Sequence, residues 1–170
     1  MKIKKNLVLL GMMGVGKTRI GKYVARRLKI NFFDIDKLIE QKNEMKITEI
    51  FKTKGEIYFR KEEELATIKY LNKKGSVISL GGGGFINDKI RKKVLSECIS
   101  VWLNANLETI YKRIKNSKKR PLINKNYQNN IGKIFMERKK IYSLAHHEIN
   151  CDNLNLNQIS EKIVKLYEKI

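Results

Sequence analysis

A chain of 170 residues has room for one domain with a substantial core and not for two ordinary ones. Lys and Arg number 37 against 17 Asp and Glu, a formal net charge of +20, yet no run of five or six like charges forms a basic tail, so the excess reads as a solvated surface and no nucleic-acid partner is expected. Cys98 and Cys151 stand far apart and form no C-x-x-C pair, which fits reduced thiols better than a disulfide scaffold, and every apolar run falls well short of a membrane span or signal core; a soluble, cytoplasmic protein with buried, reduced thiols is expected.

Apolar runs at residues 7–10, 31–35, 76–80, 99–103 and 148–151 alternate with stretches of helical periodicity, the pattern of βα repeats around a parallel sheet. The first run leads into GMMGVGKT, Gly11 to Thr18, which matches G-x-x-x-x-G-K-[ST] and is followed by a helix expected over residues 16–28. Gly11, Gly14 and Gly16 let the backbone turn tightly, so that N–H groups face phosphate oxygens near a helix N-terminus. Lys17 then reaches the outer phosphates as a point charge and the Thr18 hydroxyl is suited to Mg²⁺. The nucleotide is therefore expected on Gly14, Val15, Gly16, Lys17, Thr18 and the adjoining Arg19.

The second run ends in Phe32-Phe33-Asp34-Ile35-Asp36. On an extended chain, residues two apart point to the same side, so Asp34 and Asp36 are expected to face the mouth of the sheet together. One carboxylate there suits the support of Mg²⁺ through water, and the other suits orienting an attacking hydroxyl. The alternative is a pair that caps the helix starting near Lys37.

Roughly forty residues, 36–74, then pass without a strand, more than one crossover helix needs, and predict a substrate-binding segment. Within it, "GEIYFRKEEE" sets Arg60 three residues before Glu63, so that on one helix face the carboxylate holds the guanidinium in place for a substrate carboxylate. The alternative is a surface ion pair of small energy.

The third strand runs into Gly81-Gly82-Gly83-Gly84, where other phosphate-loop proteins carry an acid. Bare backbone at the C-terminal end of a sheet strand suits a ligand lying flat against N–H groups; a flexible turn is the alternative. Because the acid is missing here, Asp34 is the expected support for Mg²⁺. Residues 115–130 are polar and aperiodic and hold the one proline, Pro121; a lid is expected there. Arg120 lies in this lid, suited to closing on the transferring phosphoryl group, and Arg138 follows on a helix, suited to a second substrate anion.

In this order, GMMGVGKT, FFDID, GEIYFR, SLGGGG, KRPLI and MERKKIY resemble the shikimate kinases over nearly the whole chain. The resemblance implies one α/β domain over residues 1–170: three layers, α/β/α, of the phosphate-loop kinase type, with a five-stranded parallel sheet in the order 2-3-1-4-5, a lid at about 115–130 and a substrate-binding segment at about 36–62. It implies transfer of the γ-phosphate of ATP to the 3-hydroxyl of shikimate, with ATP and Mg²⁺ as cofactors, by an enzyme expected to be a monomer.

By the same resemblance, Lys17, Asp36 and Arg120 are catalytic, Thr18 and Asp34 serve the metal, and Arg113 lies against adenine. Asp36, Arg60, Gly81, Gly82, Gly83 and Arg138 bind shikimate, and Ile47, Phe51 and Phe59 wall its ring. Ile35 stands where a small polar residue is usual, Gly84-Phe85 replaces a small apolar pair, and residues 152–157 lack the arginine and proline of some relatives.

Gluconate and nucleoside monophosphate kinases share the loop and lid, but not the combination of glycine run, D-x-D and F-R pair. A GTPase would need N-K-x-D, and "NKNY" at 124–127 lacks the aspartate. A nucleic-acid-binding ATPase would use the charge and leave Asp36, Arg60 and the glycines unexplained.

Overall fold

The computed structural model describes residues 5–115 and 125–169. In chain order it contains β1 (Leu7–Leu10), α1 (Lys17–Leu28), β2 (Asn31–Asp34), α2 (Ile35–Asn43), α3 (Ile47–Leu71), β3 (Ser76–Ser79), a single 3₁₀ turn (Gly84–Ile86) and α4 (Asp88–Glu97). Then come β4 (Ile99–Asn104), α5 (Leu107–Lys115), α6 (Lys125–Tyr142), β5 (His147–Asn150) and α7 (Leu156–Glu168). The five strands pair in parallel in the order β2-β3-β1-β4-β5, the order that the resemblance implies.

Burial explains which apolar runs became central. β1 and β3 are buried at every residue, as strands covered by helices on both faces must be. β2 and β5, at the two edges, each bury one residue fully and leave the others partly or wholly exposed. A parallel sheet gathers the C-terminal ends of its strands on one side, and in this order β1 and β3 are neighbours. The loop after β1 and the glycines after β3 therefore meet, with the end of β2 beside them.

The long segment between β2 and β3 is two helices, α2 and α3, packed on each other. α3 is broken at Gly55, whose backbone (φ 81°, ψ 169°) lies in a region open to glycine and closed to residues with a Cβ. The break lets one stretch of sequence present two differently directed helical pieces. The Cys98 and Cys151 thiols are both buried, and burial pushes each up to about 11, so they remain protonated and serve as small apolar side chains. Among the described residues no helix is long and apolar enough to cross a membrane.

At the opposite end of the sheet, Asn6 is 1% exposed. Its amide donates to the Leu71 carbonyl at 2.7 Å and accepts from the Ser76 N–H at 3.0 Å, joining the start of β1 to the end of α3 and the start of β3. Asn6→Ala strands two buried backbone groups; a loss of about 2–3 kcal/mol in urea unfolding is expected, with little change in substrate affinities because the site is at the other end.

Candidate active site

The loop from β1 to α1 lines a cavity of about 400 Å³ with Gly14, Gly16, Lys17, Thr18 and Arg19. Gly16 is the residue before the first helical turn and is left-handed, φ 104°, a conformation that excludes β-branched residues. No side chain caps α1, so the N-terminus presents its first-turn N–H groups to an anion. The Lys17 ammonium is curled into the loop, donating to the carbonyls of Gly11 at 2.7 Å and Met12 at 3.0 Å.

The Thr18 hydroxyl donates to Asp34 Oδ2 at 2.5 Å. Asp34 Oδ1 accepts from the Lys37 N–H at 3.3 Å and so caps α2. The capping alternative holds for Asp34, and the same side chain also accepts from Thr18. The expectation that Asp34 and Asp36 sit side by side on an extended strand is corrected. β2 stops at Asp34, and Asp36 is in the first turn of α2, because the cap diverts the chain into the helix. The helical turn carries Asp36 across the site.

Asp36 lines the nucleotide-side cavity and also a second one, of about 550 Å³. The second cavity is bounded by Ile47, Phe51 and Phe59 as an apolar wall and by Arg60, Glu63 and Arg138 as its charged side. The Phe51 and Phe59 rings pack at 4.7 Å between centroids, and the Arg60 guanidinium lies 5.3 Å from the centre of the Phe59 ring. Arg60 Nη1 donates to Glu63 Oε2 at 2.7 Å and Nη2 to Glu56 Oε1 at 3.1 Å. The Glu63 side chain is 2% exposed, so this pair is not the surface ion pair of the alternative reading. Burial pushes the Glu63 carboxyl up, against the pull of Arg60. Its other oxygen, Oε1, has no hydrogen-bond partner among the described residues.

The glycine run has a further reason to be bare, beside the ligand-facing one expected. A Cβ on Gly81 would overlap the carboxylates of both Glu63 and Asp36, and one on Gly83 would overlap the Arg60 guanidinium. The run is bare so that protein side chains can close on it, and Gly84 begins the 3₁₀ turn. The Gly82 carbonyl accepts from Arg138 Nη1 at 2.9 Å and from the Tyr142 hydroxyl. Arg138 is thereby fixed beside Gly82 in the larger cavity.

Arg113 donates to the Val15 carbonyl at 3.0 Å and the Cys151 carbonyl at 3.4 Å, tying the phosphate loop to the end of β5. Arg120 and Pro121 lie outside the described residues. Tyr142 escaped the sequence reading, although "RKKIY" sets it one helical turn beyond Arg138 on the same face. Met13, which lines both cavities, escaped as well.

The sequence model of the family described as shikimate kinase matches residues 13–168. The chain belongs to the shikimate kinase family. A shikimate kinase from a Sulfurihydrogenibium species is 42% identical over 160 residues, covering 94% of this chain and 96% of that protein. The structure of shikimate kinase from Acinetobacter baumannii in complex with shikimate superposes with a TM-score of 0.90 at 29% identity, over 98% of this chain and 94% of that one. The structure from Aquifex aeolicus gives 0.83 at 33% identity, over 96% of each. Shikimate kinases are ATP-dependent enzymes that phosphorylate shikimate in aromatic biosynthesis, and two adjoining cavities with a loop for phosphates suit such a two-substrate reaction.

Asp36 is the most strained charge of the site. Burial raises its carboxyl from 3.8 to about 6; Lys17 opposes the rise, and Glu63, Asp34 and Glu40 add to it. The folded state thus holds the proton more tightly than the unfolded chain, so this group takes stability away as pH climbs from 3.8 to 6, and the penalty is complete above that. Asp36→Asn is expected to match the parent in thermal denaturation near pH 4 and to melt higher at pH 7.5. A variant that melts lower at pH 7.5 would mean that the attraction of Lys17 outweighs burial.

Proposed function

We propose that Asp36 takes the proton of the shikimate 3-hydroxyl as that oxygen attacks the γ-phosphorus of ATP. The hydroxyl O–H bond breaks toward the carboxylate, the new O–P bond forms, and the bond from γ-phosphorus to the β-bridging oxygen breaks, releasing ADP. The observation that carries this reading is that Asp36 lines both cavities. An acceptor hydroxyl in the larger cavity and a phosphate in the smaller one would meet at this carboxylate. A carboxyl held near 6 is also a stronger base than an ordinary aspartate while remaining largely ionised at neutral pH.

Gly14, Val15 and Gly16, with Lys17, Thr18 and Arg19, hold the phosphates in this reading. Arg113 flanks the base, and Arg120 closes on the γ-phosphate from the expected lid, a role that rests on the KRPLI motif; residues 125–130, expected as aperiodic lid, are instead the start of α6. Arg60 and Arg138 hold the substrate carboxylate, Glu63 sets the angle of Arg60, and Gly81, Gly82 and Gly83 form the floor on which the ring lies. A monomer working in the cytoplasm is part of the same reading and rests on the family resemblance.

Thr18 and Asp34 offer hard oxygen donors, which fit Mg²⁺. Among the described residues no three His, Cys, Asp or Glu side chains cluster to hold a metal by themselves, so the cation would arrive with the nucleotide. Bound there, Mg²⁺ neutralises charge on the phosphates.

Four measurements test these roles. With Asp36→Asn, phosphorylation in a coupled ADP-release assay should vanish while ATP still binds; kcat/KM of the parent for shikimate should fall about tenfold per pH unit below about 6. An active Asn variant would remove Asp36 as the base. Lys17→Ala should lose phosphorylation and keep the fold. For Arg60→Ala, KM for shikimate should rise roughly ten- to hundredfold with kcat little changed; a rise in KM for ATP instead would put the arginine on the other ligand.

A further inference from the structure

We infer that Tyr142 is a positioning residue for the acid substrate: its hydroxyl, by sharing the Gly82 carbonyl with Arg138, fixes the guanidinium that faces the larger cavity. Arg138 and Tyr142 are one turn apart on α6, and both donate to the same oxygen. A carbonyl has two lone pairs, and two donors fill them. The carbonyl then has one orientation, and so does the guanidinium that grips it.

The rest of the environment argues that this hydroxyl is placed for that purpose. Tyr142 is 1% exposed, so water cannot replace it as a donor. Its ring lies 6.0 Å from that of Trp102 on β4, centroid to centroid, and the hydroxyl is 3.9 Å from Met12 Sδ in the phosphate loop. Burial pushes the phenol up, so it is a proton donor throughout the working range. A phenylalanine would fill the same space among Trp102 and Met12. Packing accounts for the ring, and the hydroxyl needs a separate reason.

Without the hydroxyl, the Gly82 carbonyl keeps Arg138 as its partner and loses the second restraint. The guanidinium is then free to follow the carbonyl, and the geometry for a planar, two-point grip on a carboxylate is spread over several arrangements. The larger cavity is affected most, because in the phosphate loop the hydroxyl meets the Met12 sulfur while Lys17 and Thr18 donate to other atoms.

The inference rests on Arg138 as a carboxylate anchor, and its test separates the two. Tyr142→Phe and Arg138→Lys are compared with the parent in calorimetric titrations with shikimate and with ATP, alongside steady-state KM and kcat and melting temperature. Expected for Tyr142→Phe is a roughly tenfold weaker shikimate Kd and higher shikimate KM, with ATP affinity and kcat within about twofold. Arg138→Lys, which keeps the charge and loses the fork, should weaken shikimate at least as much.

If Arg138→Lys weakens shikimate and Tyr142→Phe leaves it unchanged, the anchor stands and the inference about Tyr142 is overturned. If Arg138→Lys leaves shikimate binding unchanged, the anchor assignment itself falls and takes this inference with it. A Tyr142→Phe variant that loses shikimate and ATP affinity in parallel, with a lower melting temperature, would also overturn the inference, since that is the behaviour of a residue needed only for packing.

Discussion

Asp36 and Glu63 converge on one bare backbone position, Gly81, from two different helices. Two carboxylates crowded into a partly dry site repel each other and resist ionisation, and the rest of the site is arranged around that cost. Arg60 is held against Glu63, Lys17 draws on Asp36, and Arg138 adds a weaker pull on Glu63. The apolar wall of Phe51 and Phe59 keeps these charges in a medium where each matters more. A side chain on Gly81 would push both acids apart. The glycine thus sets the spacing of the charges as surely as the charges set the chemistry.

This crowding also explains why the phosphate loop alone is uninformative about the acceptor. A loop with Lys and Thr fixes where a triphosphate lies and has nothing to say about what lies beyond it. Specificity enters with the turn of helix that starts at Ile35. Because Asp34 ends its strand as a cap, the next carboxylate, Asp36, is turned into the wall that the nucleotide cavity shares with its neighbour. Membership of the shikimate kinase family and the geometry of this wall agree on a reaction between two bound small molecules.

Much of this was legible from residues alone, for identifiable reasons. The alternation of apolar runs depends on burial of whole strands, which composition records directly, and the loop GMMGVGKT carries its own backbone logic. Arg60 and Glu63 were legible as a pair because spacing on a helix is a local property. The register of Asp36 was not. Whether a strand runs one residue further or turns into a helix depends on a hydrogen bond from Lys37 to Asp34, and period-two reasoning carries no information about where its own period ends. The close approach of side chains to Gly81 was not legible, because its neighbours in space, Glu63 on α3 and Asp36 on α2, are distant in sequence. Tyr142 was missed for a similar reason: nothing near it in the chain announces that Gly82, sixty residues away, is its partner.

The break at Gly55 divides the larger cavity between two pieces of one helix. Ile47, Thr48 and Phe51 come from the piece before it, and Phe59, Arg60 and Glu63 from the piece after it. Part of the apolar wall, Ile47 and Phe51, therefore stands on a different piece from the arginine and glutamate, and Phe59 joins the two through its ring contact with Phe51. Residues 47–51 can drift, widening or narrowing the cavity to suit a different ring, while the arginine and glutamate keep their spacing to the sheet. An enzyme built this way can explore neighbouring acids over evolutionary time, or in a directed library confined to residues 47–51, without disturbing the anchoring of the carboxylate or the reach of the base.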